Sequence, residues 1–138
     1  MVSHEVQVRV RYAETDKMGY VYYGNYATYY EVARVEMMRA LGLSYKKLED
    51  SGVMMPVLEY KIKYIKPAFY DDLLTIKIFI KEKPGVKIKF DYECYNESGT
   101  LLNVGETTLV FVSAASGRPC SAPGEFDSVI AKYFEMKV

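Results

Sequence analysis

Histidine is nearly missing from this chain of 138 residues, which holds one, His4, close to its start. A catalytic histidine would have to come from a segment where ordering is weakest, so Ser-His-Asp and Cys-His arrangements lack a base, and no G-x-S-x-G elbow occurs either. Cysteine is scarce too: Cys94 and Cys120 stand far apart without a CxxC or Cys/His partner. No metal site or redox motif is expected, and both thiols read as reduced and packed. Net charge is absent, eighteen Lys and Arg balancing eighteen Asp and Glu, which removes the electrostatic footprint of a nucleic-acid binder. GxGxxG and GxxxxGK[ST] are both lacking, so nucleotide cofactors lose their usual fingerprint. No apolar run approaches the roughly 20 residues that span a bilayer, and MVSHEVQVRV alternates where a signal peptide would be continuously apolar. The expectation is a cytoplasmic protein without a membrane span.

What the chain does have is tyrosine. Half of its fourteen tyrosines fall in YAETDKMGYVYYGNYATYY, residues 12–30. Tyrosine joins a large apolar body to a hydroxyl that wants a partner, so such a cluster is either a core seam or a pocket lining.

At this length one domain, 1–138, is expected, able to bury roughly 68–70% of its unfolded surface without disulfides or metals. HEVQVRVRYAE places Val6, Val8, Val10 and Tyr12 on one side and Gln7, Arg9 and Arg11 on the other, the period of a half-buried strand. After the turn ETDKMG, Asn25 offers a cap to a helix reaching Gly42, with Tyr26, Tyr30, Ala33, Met37 and Leu41 on its core face. Glu31 with Arg34, and Glu36 with Arg39, are spaced to pair on its solvated side. A connecting segment, LSYKKLEDSG, leads to four extended runs: VMMPVLEYKIKYI, DLLTIKIFIKEK, VKIKFDYECYNE and TLLNVGETTLVFVS. KPG (83–85) and NESG (96–99) read as hairpin connections, hence antiparallel pairing, and FDSVIAKYF reads as a short terminal helix. One long helix and then successive strands is an α+β order in which a single curved antiparallel sheet of about five strands wraps the helix. Long edge strands in such a sheet favour pairing between subunits.

With no usable histidine, a carboxylate, a tyrosine, backbone amides or water must do any chemistry. Asp71 and Asp72, after Pro67 and Tyr70, read as turn formers. Asp16 has a different setting: Gly19 nearby, aromatic walls, and then a helix N-terminus whose amides can stabilise an oxyanion. A carboxylate opposite such amides can attack a carbonyl or activate water against it. An aspartate there can equally close an Asx-type turn, and the residues alone leave both roles open.

The string from Tyr12 through Thr15-Asp16-Lys17-Met18-Gly19 to Asn25-Tyr26 resembles the signature of hotdog-fold acyl-CoA thioesterases of the 4-hydroxybenzoyl-CoA thioesterase branch. A second stretch, Tyr64-Ile65-Lys66-Pro67-Ala68-Phe69-Tyr70-Asp71-Asp72-Leu73, is similar to that branch's Y-x-x-P-A-x-x-D-D segment. The resemblance implies a hotdog fold and hydrolysis of an acyl-CoA thioester to free acid and thiol. It places the nucleophile or general base on Asp16, and the substrate-binding or oxyanion positions on Gly19, Val21, Tyr23, Gly24 and Asn25. It also implies no metal, no cofactor beyond the coenzyme A of the substrate, and a site at the interface of a homodimer, or of a homotetramer built from dimers. Many members carry histidine where this chain has Tyr23, and small residues or proline where it has Lys17-Met18. Two other readings stand beside the hydrolase: a non-catalytic module that binds acyl thioesters, and a hotdog dehydratase, for which the one histidine is wrongly placed. Lys61, Lys63, Lys66, Lys87 and Lys89 are candidate contacts for CoA phosphates, with a solvated strand face as the plainer reading.

Overall fold

The computed structural model describes residues 1–135. A strand, β1 (Val2–Arg9), is followed by a single 3₁₀ turn (Tyr12–Glu14) and then by the long helix α1 (Asn25–Ala40). A six-residue helix, α2 (Tyr45–Asp50), precedes β2 (Val53–Met54), β3 (Val57–Tyr64), β4 (Leu73–Ile80), β5 (Lys87–Tyr95), β6 (Leu101–Val110), β7 (Val112–Ser113) and α3 (Gly124–Ala131). Five strands form one sheet in the order β1-β4-β5-β6-β3, every neighbouring pair antiparallel, while β2 and β7 pair separately. This is the α+β sheet-around-helix arrangement expected from the element order.

Alternation decides which face of the sheet meets α1. Leu74, Ile76, Ile78 and Ile80 on β4, with Ile88, Phe90, Tyr92 and Cys94 on β5, are all buried and point at the helix. From α1 they receive Tyr26, Tyr29, Tyr30, Ala33, Met37 and Met38, a stripe at helical spacing. Each fully buried aliphatic or aromatic side chain here contributes about 1.5–3 kcal/mol by leaving water. Tyr30 lies flat on Tyr92, 4.1 Å between centroids and 3° between planes, and its hydroxyl donates to Asn103 Oδ1. This close approach requires Gly105 beneath it, because a Cβ there would sit 2.5 Å from Tyr30 Cε2 and 2.9 Å from the Lys61 carbonyl oxygen. The helix stops at Gly42, in the left-handed region at φ 78°, and the amides of Gly42 and Leu43 bond back to Arg39 O and Met38 O.

On the opposite face, Lys61 and Lys89 both pair with Glu106, at 3.6 and 3.0 Å. Those two lysines are thus committed to a carboxylate on a solvated strand face. The sheet edge at β3 is bare: seven of its eight residues are exposed, Val57, Leu58, Tyr60 and Tyr64 among them.

The structure corrects five local expectations. β1 ends at Arg9, and Tyr12 lies in the 3₁₀ turn, 76% exposed, rather than continuing the inward row. Asn25 is the first residue of α1, not its cap. Gly24 holds the cap position without a side-chain bond, and the Asn25 amide group donates to Glu14 O at 2.8 Å. The segment treated as a plain connection contains α2, whose cap is Ser44 accepting from the Lys47 amide. Glu36 does pair with Arg39, but Arg34 turns inward to Tyr92 and leaves Glu31 alone. The first and last of the four extended runs are each broken, into β2 and β3 around Pro56 and into β6 and β7 at Phe111.

Candidate active site

The turn that carries Asp16 is held from beneath by Glu14. That carboxylate is 8% exposed, and its Oε1 accepts from the Arg11 amide at 2.8 Å and the Tyr29 hydroxyl at 2.9 Å. Its Oε2 accepts from the Arg11 guanidinium at 2.9 Å. Burial alone would raise the Glu14 pKa; the hydrogen bonds from Arg11 and Tyr29 outweigh it and hold the carboxyl below its usual value. Tyr29 is pushed up by its own burial and by the Glu14 bond, so it stays a donor. The Glu14 carbonyl accepts from the Tyr22 amide and from the Asn25 side chain, both at 2.8 Å, which ties the turn to the start of α1.

Asp16 sits above this anchor, half-buried. Its Oδ1 accepts from the amides of Met18 at 2.9 Å and Tyr20 at 3.2 Å, closing an Asx turn that Gly19 completes at φ 78°. No hydrogen bond from the described residues reaches Oδ2. The 64–72 segment packs beside the turn. Ala68 is fully buried and its carbonyl accepts from the Val21 amide at 2.9 Å, while Tyr20 and Phe69 bridge and meet edge to face at 5.4 Å. Asp72 Oδ2 caps that segment through the Phe69 amide, and Asp71 takes φ 69°, so both aspartates serve the turn.

Between the two segments opens a cleft of about 430 Å³, lined by Asp16, Tyr20, Val21, Tyr23, Tyr26 and the 64–67 stretch. Its walls are mainly apolar, and its lip is exposed at Tyr23 and at Tyr64 and Ile65. Tyr26 forms the floor, 3% exposed, with burial pushing its phenol up to about 12. The segment bends here, so that Tyr20, Val21 and Tyr23 all reach the cleft, and Tyr22 lies outside it against the Tyr23 ring.

The amides of this stretch divide sharply. Gly19 N–H donates to Asp16 O, Val21 N–H to Ala68 O, and Asn25 N–H to Tyr22 O. Tyr23 and Gly24, immediately before α1, have amides with no acceptor among the described residues. An N–H pair at a helix N-terminus, beside a carboxylate with one free oxygen and an apolar cleft, can receive a carbonyl oxygen that gains negative charge. Among the described residues no group of three His, Cys, Asp or Glu could hold a metal ion, and no helix is long and apolar enough to cross a membrane.

Sequence reasoning treated Glu14 as one more acidic residue and did not single out Tyr29. The three-residue spacing of Arg11 and Glu14 was the available signal for the first. Nothing local marks Tyr29 out from its neighbours.

The thioesterase-like superfamily matches residues 10–130, which takes in the Asp16 turn, the cleft and four of the five sheet strands, all but β1. The chain belongs to that superfamily. It is 34% identical over 126 residues to an acyl-CoA thioester hydrolase, YbgC, of Escherichia coli O6:H1, covering 91% of this chain and 92% of the relative. Among solved structures, a DHNA-CoA thioesterase from Staphylococcus aureus superposes with a TM-score of 0.92 at 32% identity, covering 97% of this chain and 92% of the other. A 4-hydroxybenzoyl CoA thioesterase mutant complexed with 4-hydroxybenzoyl CoA superposes with a TM-score of 0.83 at 21% identity, covering 93% and 98%, a likeness that bears on the fold alone. The fold is therefore the hotdog fold of this superfamily.

Proposed function

We propose that the protein hydrolyses acyl-CoA thioesters in the Asp16 cleft. The observation that carries this is the pairing of Asp16 Oδ2, free of hydrogen bonds, with two unclaimed amides at the start of α1 around one apolar cleft. The chain is a thioester hydrolase by its relatives, whose names specify acyl-CoA thioesters. The acyl group enters the cleft, with the thioester carbonyl directed at Tyr23 N–H and Gly24 N–H. As general base, Asp16 takes a proton from water while the oxygen adds to the carbonyl carbon. The tetrahedral oxyanion is stabilised by the amides and the helix dipole, and its collapse breaks the C–S bond; the departing sulfur takes back the proton Asp16 accepted, so the acid and the CoA thiol leave and the carboxylate is restored. As nucleophile, Asp16 attacks the acyl carbon and expels the CoA thiolate, forming a mixed anhydride that water then opens to the free acid and the Asp16 carboxylate, the proton released going to the thiolate. Neither route needs a metal or a cofactor other than the coenzyme A of the substrate.

The bare β3 edge supports a homodimer, and a tetramer would be a further association of such dimers. Unpaired strand edges with exposed Val57, Leu58, Tyr60 and Tyr64 are surfaces that a second copy can cover by strand pairing. Tyr64 lies both on that edge and on the lip of the cleft, so covering one would narrow the other. Both cysteines are free thiols, which suits a reducing cytoplasm.

The test is thiol release from a panel of aromatic and aliphatic acyl-CoAs by wild type and Asp16→Asn, with folding of both checked. Asparagine can still accept from Met18 and Tyr20, so the turn should survive while hydrolysis drops by about 10²–10⁴-fold. Full activity in Asp16→Asn would refute the role of Asp16. No hydrolysis by wild type on any substrate, with CoA esters still binding, would leave a binding module in its place.

A further inference from the structure

A second cleft lies at the other end of the helix. Its volume is about 450 Å³, and it is bounded by α1 at Arg34 and Val35, by Ser44 and Tyr45 before and within α2, and by Met55, Val57 and Leu109 from the strands. Arg34 is eight residues along α1 from Tyr26, so the two clefts are separated by roughly 12 Å of helix. The active-site reading makes no use of this region.

Its floor holds an unpaired cation. Arg34 is 8% exposed, and one of its terminal nitrogens donates to the Tyr92 hydroxyl at 3.0 Å. Tyr92 and Thr107 hydroxyls lie 2.7 Å apart, which leaves the Tyr92 proton for Thr107. No carboxylate pairs with Arg34 among the described residues, and its Nε has no acceptor. The Tyr45 hydroxyl, buried at the same floor, turns its oxygen toward the Arg34 guanidinium and has no acceptor for its own proton among the described residues. Burial works against the guanidinium charge, and the oxygens of Tyr92 and Tyr45 offset it. Buried charges in folded proteins are paired or neutralised, and arginine does not lose its proton. Glu31, Glu49 and Lys46 stand on the rim with Arg39, which is paired with Glu36; the Glu31 charge is felt at Tyr45, and neither rim carboxylate forms an ion pair with Arg34.

The surroundings define what would complete it. A planar guanidinium edge next to a phenol O–H matches the two oxygens of a carboxylate, with the Ser44 hydroxyl further up the wall. Val35, Met55 and Leu109 line the remainder, with Val57 at the outer rim where the β3 edge begins, and all four offer only hydrocarbon. We infer that this cleft binds a free organic carboxylate with an apolar body, its carboxylate on Arg34 and Tyr45 and its hydrocarbon against Val35, Met55, Val57 and Leu109. The inference is independent of the Asp16 chemistry, since it concerns different residues.

The experiment is a titration of the purified protein with hexanoate and with phenylacetate, read by calorimetry and by thermal stability, against chloride at equal ionic strength. Wild type and Asp16→Asn should bind alike. Arg34→Met keeps the volume and removes a buried charge, a change that buried-charge replacements commonly tolerate. It should weaken binding about tenfold or more, the worth of a charge-assisted hydrogen bond. Tyr45→Phe should weaken it about fivefold and leaves the fold intact if Arg34→Met does not. Saturable binding that disappears in Arg34→Met and persists in Asp16→Asn supports the site. Absence of binding in wild type, equal binding in Arg34→Met and Tyr45→Phe, or loss in Asp16→Asn alone, which would put the acid in the first cleft, overturns it.

Discussion

Replacing Glu14 by glutamine tests whether the Asp16 turn depends on the anchor beneath it. The substitution changes no volume and leaves one oxygen able to accept from the Arg11 amide and the Tyr29 hydroxyl, at 2.8 and 2.9 Å in the wild type. What it removes is charge. The bond from Tyr29, which is 1% exposed, falls from charge-assisted to neutral, a loss of about 1 kcal/mol. The Arg11 side chain is 77% exposed, so water screens its ion pair and the buried Tyr29 bond decides the magnitude. The expected destabilisation is about 1 kcal/mol, which for a chain of this size lowers Tm by roughly 3–4 °C. Its pH dependence has a definite sign. The folded pKa of Glu14 lies below the ordinary 4.5, so the stabilisation is complete above that value and is lost as pH falls through the lower, folded one. Chemical denaturation of wild type and Glu14→Gln between pH 3 and 8 should give a constant gap at neutral pH that closes in acid. A gap under 0.5 kcal/mol at pH 7, or one unchanged at low pH, would refute the anchoring role.

Gly105→Ala should cost about 1–3 kcal/mol in denaturant unfolding, because the new methyl meets the Tyr30 ring and the Lys61 carbonyl and neither can withdraw; stability within 0.5 kcal/mol of wild type would show that the Tyr30 stack is loose. Leu58→Lys, on the bare β3 edge, should shift sedimentation toward the monomer and lower activity with it, while an unchanged mass would move the interface elsewhere. Gly19→Val should disrupt the Asx turn through its φ of 78° and reduce hydrolysis more than stability, and equal activity would separate the turn from catalysis.

How much of this was legible depended on range. The strands of the sheet, their hairpins and the helix stop at Gly42 rest on local periods and turn residues, and these transferred with small shifts of boundary. The Asp16 turn was legible as well, because its partners Met18 and Tyr20 are neighbours in sequence. Two of the failures share a cause. Asn25 and Arg34 were read from helix-local rules, yet each is claimed by a residue far along the chain or outside the helix, Glu14 for one and Tyr92 for the other. A side chain's best partner across a fold leaves no periodic trace, so local grammar assigns it to the nearest plausible neighbour.

Under the proposed function, the same point reconciles the two readings of Asp16. An aspartate that closes a turn and one that performs chemistry look like rivals when the residue is treated as a single group. In the structure the two oxygens are separate. Oδ1 is held by the Met18 and Tyr20 amides, which fixes where the carboxylate points, and Oδ2 is left without a hydrogen bond beside the cleft. For the base or nucleophile we propose, holding one oxygen would remove rotational freedom otherwise lost on reaching the transition state, so the turn would be the means of positioning the carboxylate. The division also separates the side chains. Asparagine keeps the turn and loses the oxygen proposed to react, while alanine loses both. Asp16→Asn should therefore retain near-native stability with little activity, and Asp16→Ala should lose activity and in addition loosen Met18 and Tyr20, visible as faster amide exchange at those two positions. Equal exchange in the two variants would mean that the turn holds without Asp16, and that its geometry comes from Gly19 and the Val21–Ala68 bond instead.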